Sequence, residues 1–412
     1  MPLAAPFTTE LSDLIFTENL NIHFQPIISL QQKSVVGLEA LARPGSRPGL
    51  PTLNVLQMFR MAQNEGRLLE LDRLCRRKAL ITYHKLNLPC PRPVLFMNFE
   101  ASVIDQEVEG SDTITKTVQE CGLNPNDIVI EINESKVMDG AALRRFVDRH
   151  RDASFLIALD DLGTGESNLP RVAALRPHIL KLDRSLIDGI NADYFKQATF
   201  KSLVILGHMV GCLILAEGVE TQAEVDTCAA LGAELFQGFN FARALPPEGL
   251  DLESLKPAIS SAALRQRQAG VRAIHTRRTQ ANHMRILSDK VLKSLNATDA
   301  TGFDAVLERL MPQEPEVQCA YVLNSSGIQM TETHNSPASA VWINLLSSLA
   351  LKGTDHSNKE YFYSLMDAGL ERYTTETYVS MGTGYHCRTM ASLMRRPDGT
   401  LYALCLDLRV QD

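Results

Sequence analysis

Hydrophobic residues along this chain gather into short, β-rich runs that each stop at a polar side chain, and helical patterning fills most of the gaps between them. The runs lie at 22–25, 35–39, 94–98, 128–131, 155–160, 179–181, 213–217 and 235–237. Helical stretches are expected at 53–86, 113–121, 141–150, 194–207 and 222–231. Eight strands alternating mainly with helices in about 240 residues predict an α/β fold, a TIM-type (β/α)8 barrel whose function gathers at the carboxyl ends of the strands. The first two runs are joined only by a short polar turn at 31–33, too short for a crossover helix. The first strand is therefore expected to be antiparallel and the barrel irregular at its start.

After Pro246-Pro247 the pattern changes. Residues 256–295 read as one helix with nine Lys or Arg against a single acid, Asp289, a local balance of +8 that leaves −15 on the rest. No aromatic residues interleave with these cations as stacking on bases would need, so nucleic acid is not the expected partner. A helix of this kind suits packing on an acidic domain or pairing with a second chain, and a homodimer is expected. The last segment combines a helix at 303–310 with strands at 319–323, 375–379, 387–393 and 401–408, and hairpin-like turns at 324–327 and 396–399. The expected domains are thus a barrel at 1–255, a basic helical linker at 256–297 and a small α+β domain at 298–412.

Composition narrows this picture. The chain has 412 residues, 45% hydrophobic and 22% charged, and a net charge of −7 argues against general nucleic-acid binding. Apolar runs fall short of the ~18 residues of a membrane span, and the start shows no basic region followed by an apolar core, so a cytoplasmic protein is expected. Eight cysteines without a Cys-x-x-Cys pair fit packing thiols better than a zinc site or a disulfide framework. In 53–86, Leu68, Leu71, Leu74 and Ala79 form an apolar face, and Arg73, Arg76, Arg77 and Lys78 are expected to form a solvated one.

The eight strand ends present Gln25, Glu39, Asn98, Glu131, Asp160 with Asp161, Lys181, Glu217 and Gln237. Alone, Asp160-Asp161-Leu162-Gly163 would be an acidic surface turn. In a barrel, however, all these side chains converge on one mouth, and a dense acid cluster needs a compensating cation. Oxygen ligands without Cys or His select a hard cation, Mg²⁺ or Mn²⁺, and adjacent carboxylates allow one to bridge two ions, as used for in-line displacement at phosphorus. Lys181 adds a cation suited to the attacking water and to phosphate charge, and Arg43 is suited to a phosphate oxygen. The residues read as a two-metal phosphodiesterase acting on an anionic substrate, with Ca²⁺ expected to inhibit because its coordination is larger and looser.

These motifs resemble the EAL-domain family of cyclic di-GMP phosphodiesterases. The resemblance is carried by Phe24-Gln25-Pro26-Ile27, Glu39-Ala40-Leu41-Ala42-Arg43, Glu131-Ile132-Asn133-Glu134, Asp160-Asp161-Leu162-Gly163-Thr164-Gly165, Lys181-Leu182-Asp183, Glu217-Gly218-Val219-Glu220 and Gln237-Gly238-Phe239, in the family's order over about residues 20–250. It implies that Glu39, Asn98, Glu131 and Asp160 hold one metal, and Asp160 and Asp161 the second. Lys181 and Glu217 match the catalytic water and second-metal network. Gln25, Leu41, Arg43, Asp183, Glu220 and Gln237 match substrate-contacting positions, and Glu134 matches a glutamate that anchors the loop after Asp161. The implied reaction is hydrolysis of cyclic di-GMP to linear pGpG. Departures from the family are Asn98-Phe99-Glu100 for Asn-Leu-Ser, Leu162 for Phe, Pro44 for Trp and Asn168 for Ser. The segment 298–412 is similar in pattern to PAS-like or Cache-like sensor domains, which implies regulation.

Two other functions compete. A non-hydrolysing cyclic di-GMP receptor would signal to a protein partner, but such receptors usually lack metal ligands and here none is missing. A scaffold that uses the barrel only to dimerise leaves the acid cluster unexplained.

Overall fold

A computed structural model describes residues 10–45, 53–100, 113–133, 140–163, 169–335, 350–380 and 384–410. Contacts divide the chain into two compact units, Met1–Val271 and Arg272–Asp412.

The first unit is a closed barrel of eight strands: β1 (Leu20–Ser29), β2 (Ser34–Pro44), β3 (Val94–Phe99), β4 (Ile128–Asn133), β5 (Leu156–Leu162), β6 (Ile179–Leu182), β7 (Leu213–Glu217) and β8 (Leu235–Gln237). Strand β1 is antiparallel to both neighbours, β2 and β8, and the other neighbours run parallel, as the short first connection predicts. Outside the barrel lie α1 (Glu10–Phe16), α2 (Val55–Asn64), α3 (Leu68–His84), α4 (Thr113–Glu120), α5 (Gly140–Asp152), α6 (Leu169–Leu175), α7 (Arg184–Ile187), α8 (Tyr194–Val210) and α9 (Gln222–Leu231). Caps set several of these ends. Asn54 and Gln57 close a capping box on α2, and Thr221 and Glu224 close one on α9. Asp193 caps the start of α8, which stops at Gly211 in the left-handed conformation.

The barrel interior explains why the strand ends are functional. Ile27, Phe96, Val129, Ala158, Ile179, Leu215 and Leu235 form a buried apolar plug. Each of the last six lies two residues before the polar end of its strand, so the same face of the strand that packs the plug next presents the polar side chain. On β2 the corresponding position is Gly37, where an added Cβ would stand 2.5 Å from the Phe96 ring. The glycine is required because Phe96 fills its place.

Two expectations are corrected. Arg76 does not belong to a solvated face: it is 5% exposed, pairs with buried Asp72 at 2.6 Å and lies 4.2 Å over the Phe99 ring. The aromatic face and the carboxylate one helical turn earlier together satisfy a cation that composition alone places in water. In the second unit, the expected strand at 375–379 shrinks to β12 (Tyr378–Val379), and a separate β11 (Arg372–Thr374) lies before it. The Thr375 hydroxyl accepts the Thr389 N–H at 3.0 Å, a bond that a backbone carbonyl would take in a regular ladder.

A long helix, α10 (Lys256–Asn296), gives Ile259, Ala262 and Ala263 to the core of the first unit and Leu287, Val291 and Leu295 to that of the second. The second unit contains α11 (Phe303–Leu310), α12 (Glu360–Met366), β9 (Val317–Asn324), β10 (His334–Asn335), β13 (His386–Arg395) and β14 (Leu401–Arg409). They form an antiparallel sheet of order β10-β9-β14-β13-β11, with β12 on β13. One sheet face packs on α10 and α11, the other on α12. Among the described residues no helix is long and apolar enough to cross a membrane.

Candidate active site

The strand ends converge as the sequence suggests. Lys181 on β6 is wholly buried, and its Nζ stands 2.8 Å from Glu131, 3.1 Å from Asp160, 3.5 Å from Glu217 and 3.9 Å from Glu39. Asn98 Nδ2 donates to Glu39 Oε1 at 2.9 Å, and Gln237 Nε2 donates to Glu39 Oε2 at 2.5 Å. Gln237 also reaches Gln25 Oε1 at 3.3 Å, while Gln25 donates to the Ala242 carbonyl at 3.2 Å. Seven strands and the antiparallel β1 thus contribute to one polar layer above the apolar plug.

Asp160 and Asp161 are adjacent in a strand, where regular alternation would point them to opposite faces. The β5–β6 register shifts between Leu159 and Leu162, and Asp161 adopts the left-handed conformation with φ 59°. This bulge re-aims Asp161 so that it accepts a hydrogen bond from Asn133 Nδ2, while Asp160 faces Lys181. Asn133 was not among the expected site residues. Its signal is its spacing, two residues beyond Glu131 on the same face of β4.

Four carboxylates share one ammonium here, and the charge imbalance shows in their protonation. Burial opposes the charge of Lys181, but Glu131, Glu217, Glu39 and Asp160 outweigh it and hold its pKa well above the usual value. Burial, then the Glu39 charge, raises the Glu131 pKa well above the carboxylate range, against the pull of Lys181. Burial likewise pushes Glu217 up to about 8, although Lys181 lowers it. Lys181 is thus held in its charged form by the excess of negative charge around it.

The donor chemistry fits hard divalent cations. The set is all oxygen, without thiol or imidazole, and the buried oxygens of Glu131, Asp160 and Glu217 that turn to one another have the Lys181 ammonium as their shared cation. As the described side chains stand, no three of His, Cys, Asp or Glu form a ready ligand set, and Lys181 is the cation the acids share.

Leu41 and Arg43 line a cavity of about 450 Å³ that also includes Asn98, Asp160, Asn133 and the Asp72–Arg76 pair. Asp183 and Glu220 are engaged elsewhere: Asp183 caps α7 by accepting from Ser185 N–H at 2.8 Å, and Glu220 pairs with Arg184. Glu134 and the loop residues 164–168 lie outside the described residues.

The EAL domain model matches residues 8–244. Over 238 residues the chain is 29% identical to the probable cyclic di-GMP phosphodiesterase PdeB of Escherichia coli (strain K12), a match covering 58% of this chain and 45% of PdeB. This chain therefore spans less than half of that relative. The Bacillus subtilis YkuI protein, an EAL-domain protein solved in complex with substrate c-di-GMP and calcium, superposes with a TM-score of 0.79 over 98% of this chain and 100% of that chain. At 20% identity it is a likeness of fold, and it extends through both units. Klebsiella pneumoniae BlrP1, solved as a manganese and cyclic di-GMP complex, is 27% identical with a TM-score of 0.50, covering 60% of each chain. With a family match over more than half its length and the polar strand ends gathered at the barrel mouth, the chain belongs to the EAL domain family.

Proposed function

We propose that this protein hydrolyses cyclic di-GMP to linear pGpG at the mouth of its barrel. The observation that carries the reading is the convergence of Glu39, Glu131, Asp160 and Glu217 on Lys181, in a family whose relatives include a probable cyclic di-GMP phosphodiesterase. Glu39, Asn98, Glu131, Asp160 and Asp161 would hold two divalent ions, Mg²⁺ or Mn²⁺, in keeping with the manganese complex of BlrP1. Bound there, such ions supply Lewis-acid stabilisation of the phosphoryl oxygen and an activated water.

The protein's own groups do the rest. Lys181, with its Nζ 2.8–3.9 Å from four carboxylates, supplies positive charge beside the attacked phosphate. Glu217 orients the water that adds to phosphorus. As the water oxygen bonds to phosphorus one P–O bond breaks; the water gives up one proton, and the departing sugar oxygen takes one up to become the hydroxyl. Arg43 and Leu41 on the side cavity, Gln25 and Gln237 in the polar layer, and Asp183 and Glu220 on the rim position the dinucleotide. Glu134 anchors the loop after Asp161.

In this reading the second unit, a sheet with helices on both faces, serves as a PAS-like sensor that regulates the reaction in a cytoplasmic homodimer. Incubation with cyclic di-GMP and Mg²⁺ or Mn²⁺, followed by chromatography, tests the activity: accumulation of pGpG is expected, and binding without turnover would replace the enzyme by a receptor.

A further inference from the structure

Strand β4 ends in Glu131-Ile132-Asn133, and alternation puts Glu131 and Asn133 on the same face. Glu131 meets Lys181 Nζ at 2.8 Å, and Asn133, one layer nearer the mouth, stands in register with Asp160 on β5. The Asn133 amide nevertheless crosses to the residue after Asp160: its Nδ2 donates to Asp161 Oδ2.

Asp161 needs a partner of this kind. The shift of register between Leu159 and Leu162 brings a second adjacent carboxylate to the mouth only by holding Asp161 at φ 59°. A left-handed backbone is costly for a residue with a Cβ, and it persists where the surroundings over-determine it. A hydrogen bond from the neighbouring strand to the carboxylate itself supplies that constraint and fixes the direction of the side chain.

The donor is also of the right chemistry. Glu39, Glu131, Asp160 and Glu217 already share the Lys181 ammonium, so another acid at position 133 would add to an excess of negative charge. A Lys or Arg there would neutralise Asp161 and compete with any cation for it. An amide orients a carboxylate by donation and leaves its charge in place.

We propose that Asn133 is a positioning residue for the second of the two divalent ions: by aiming the Asp161 carboxylate it sets how tightly that ion is held. The inference rests on the two-ion reading given above. The side chains of the first ion's site are held by other contacts, Asn98 and Gln237 on Glu39, and Lys181 on Glu131 and Asp160. Loss of the Asn133 donor therefore separates the two ions, which a general weakening of the barrel would not do.

The test is titration of the full chain with Mn²⁺ in the absence of substrate, followed by calorimetry and by electron paramagnetic resonance of the unbound ion. The wild type is expected to take up two ions. Asn133→Leu, similar in size but without a donor, should weaken one of them about 10–100-fold and leave the other unchanged, with the fold intact by circular dichroism. Should Leu at this position prevent folding, Asn133→Ala carries the same expectation. Asp161→Asn should weaken the same ion, and adding Asn133→Leu to it should cause no further loss, because the amide acts through that carboxylate. The proposal is overturned if the position-133 variant binds both ions as the wild type does, if it weakens both equally, or if its effect adds in full to that of Asp161→Asn. Uptake of a single ion by the wild type would instead overturn the two-ion reading, and the proposal with it.

Discussion

Lys181 Nζ stands 2.8 Å from Glu131 Oε1, and neither side chain is exposed to solvent. A single ammonium thereby ties four strands of the barrel through their acids. Replacing it by an isosteric apolar residue leaves the acids facing each other, a change that costs about 3–5 kcal/mol when a buried pair is broken. Lys181→Met should therefore lower the melting temperature and abolish turnover. Adding Glu131→Gln should recover part of the stability and none of the activity, which differential scanning calorimetry and a pGpG assay separate. Equal melting temperatures for the wild type and Lys181→Met would mean that the charge has no structural role.

Glu39 accepts hydrogen bonds from both Asn98 and Gln237 and is 4% exposed. Glu39→Ala removes a proposed metal ligand from above the plug while the plug itself is untouched. Even outer residues of metal sites commonly cost about 10–100-fold, so a loss of about a hundredfold or more is expected with the fold retained. Turnover near normal in Mg²⁺ would move the site elsewhere. Replacing Mg²⁺ by Ca²⁺ should depress the wild-type rate.

The buried Asp72–Arg76 pair supports β3 from behind, since Asp72 accepts the Glu100 N–H at 3.2 Å and Arg76 covers Phe99, the residue after Asn98. Arg76→Met should destabilise by about 3–5 kcal/mol by leaving Asp72 uncompensated. The double variant Asp72→Asn with Arg76→Met should be closer to the wild type than either single change. Chemical denaturation measures all three, and simple additivity would show that the two residues act independently.

Glu224, buried in the α9 capping box, accepts the N–H groups of Glu220 at 2.8 Å, Thr221 at 2.9 Å and Gly189 at 3.3 Å. Burial works to raise its pKa, but these backbone bonds outweigh it and set the pKa below the ordinary value. A carboxylate depressed in this way stabilises the fold fully above its unfolded pKa, and the contribution fades as pH falls through the lower folded value. Glu224→Gln should cost about 1.5–3 kcal/mol at pH 7 and progressively less in acid. A deficit independent of pH would refute the ionised cap.

Regulation by the second unit is tested by truncation. A cut after Leu255 would strip Ile259, Ala262 and Ala263 from the barrel core, so the cut belongs after Val271. Residues 1–271 should remain folded and hydrolyse cyclic di-GMP with altered kinetics or altered oligomeric state. Unchanged kinetics together with an unchanged oligomeric state in gel filtration would remove the regulatory role.

Most of the barrel was legible because each strand writes its purpose in order: apolar plug residue, spacer, polar end. Phe96 and Asn98, or Val129 and Glu131, make that reading possible without tertiary information. Arg76 was not legible, because a basic run on a helix looks solvated until Asp72 and Phe99 are seen around it. The paired use of Asp160 and Asp161 also escapes strand alternation and depends on a bulge that no period reveals. In the second unit Thr375 sits in a β-favouring stretch, but its own hydroxyl competes for the ladder bond.

The antiparallel first strand has an outcome for how this site can change. In a regular barrel each mouth residue is followed by its own loop and can drift alone. Here Gln25 and Glu39 are register partners in one hairpin, and Gln237 bonds both. A group proposed to read the nucleotide and a group proposed to hold the metal are therefore mechanically one piece. Selection for a different substrate cannot move the first without disturbing the second, so altered specificity has to come from replacing side chains other than these two, such as Leu41 and Arg43 further along β2, which leaves the Gln25–Glu39 pairing in place.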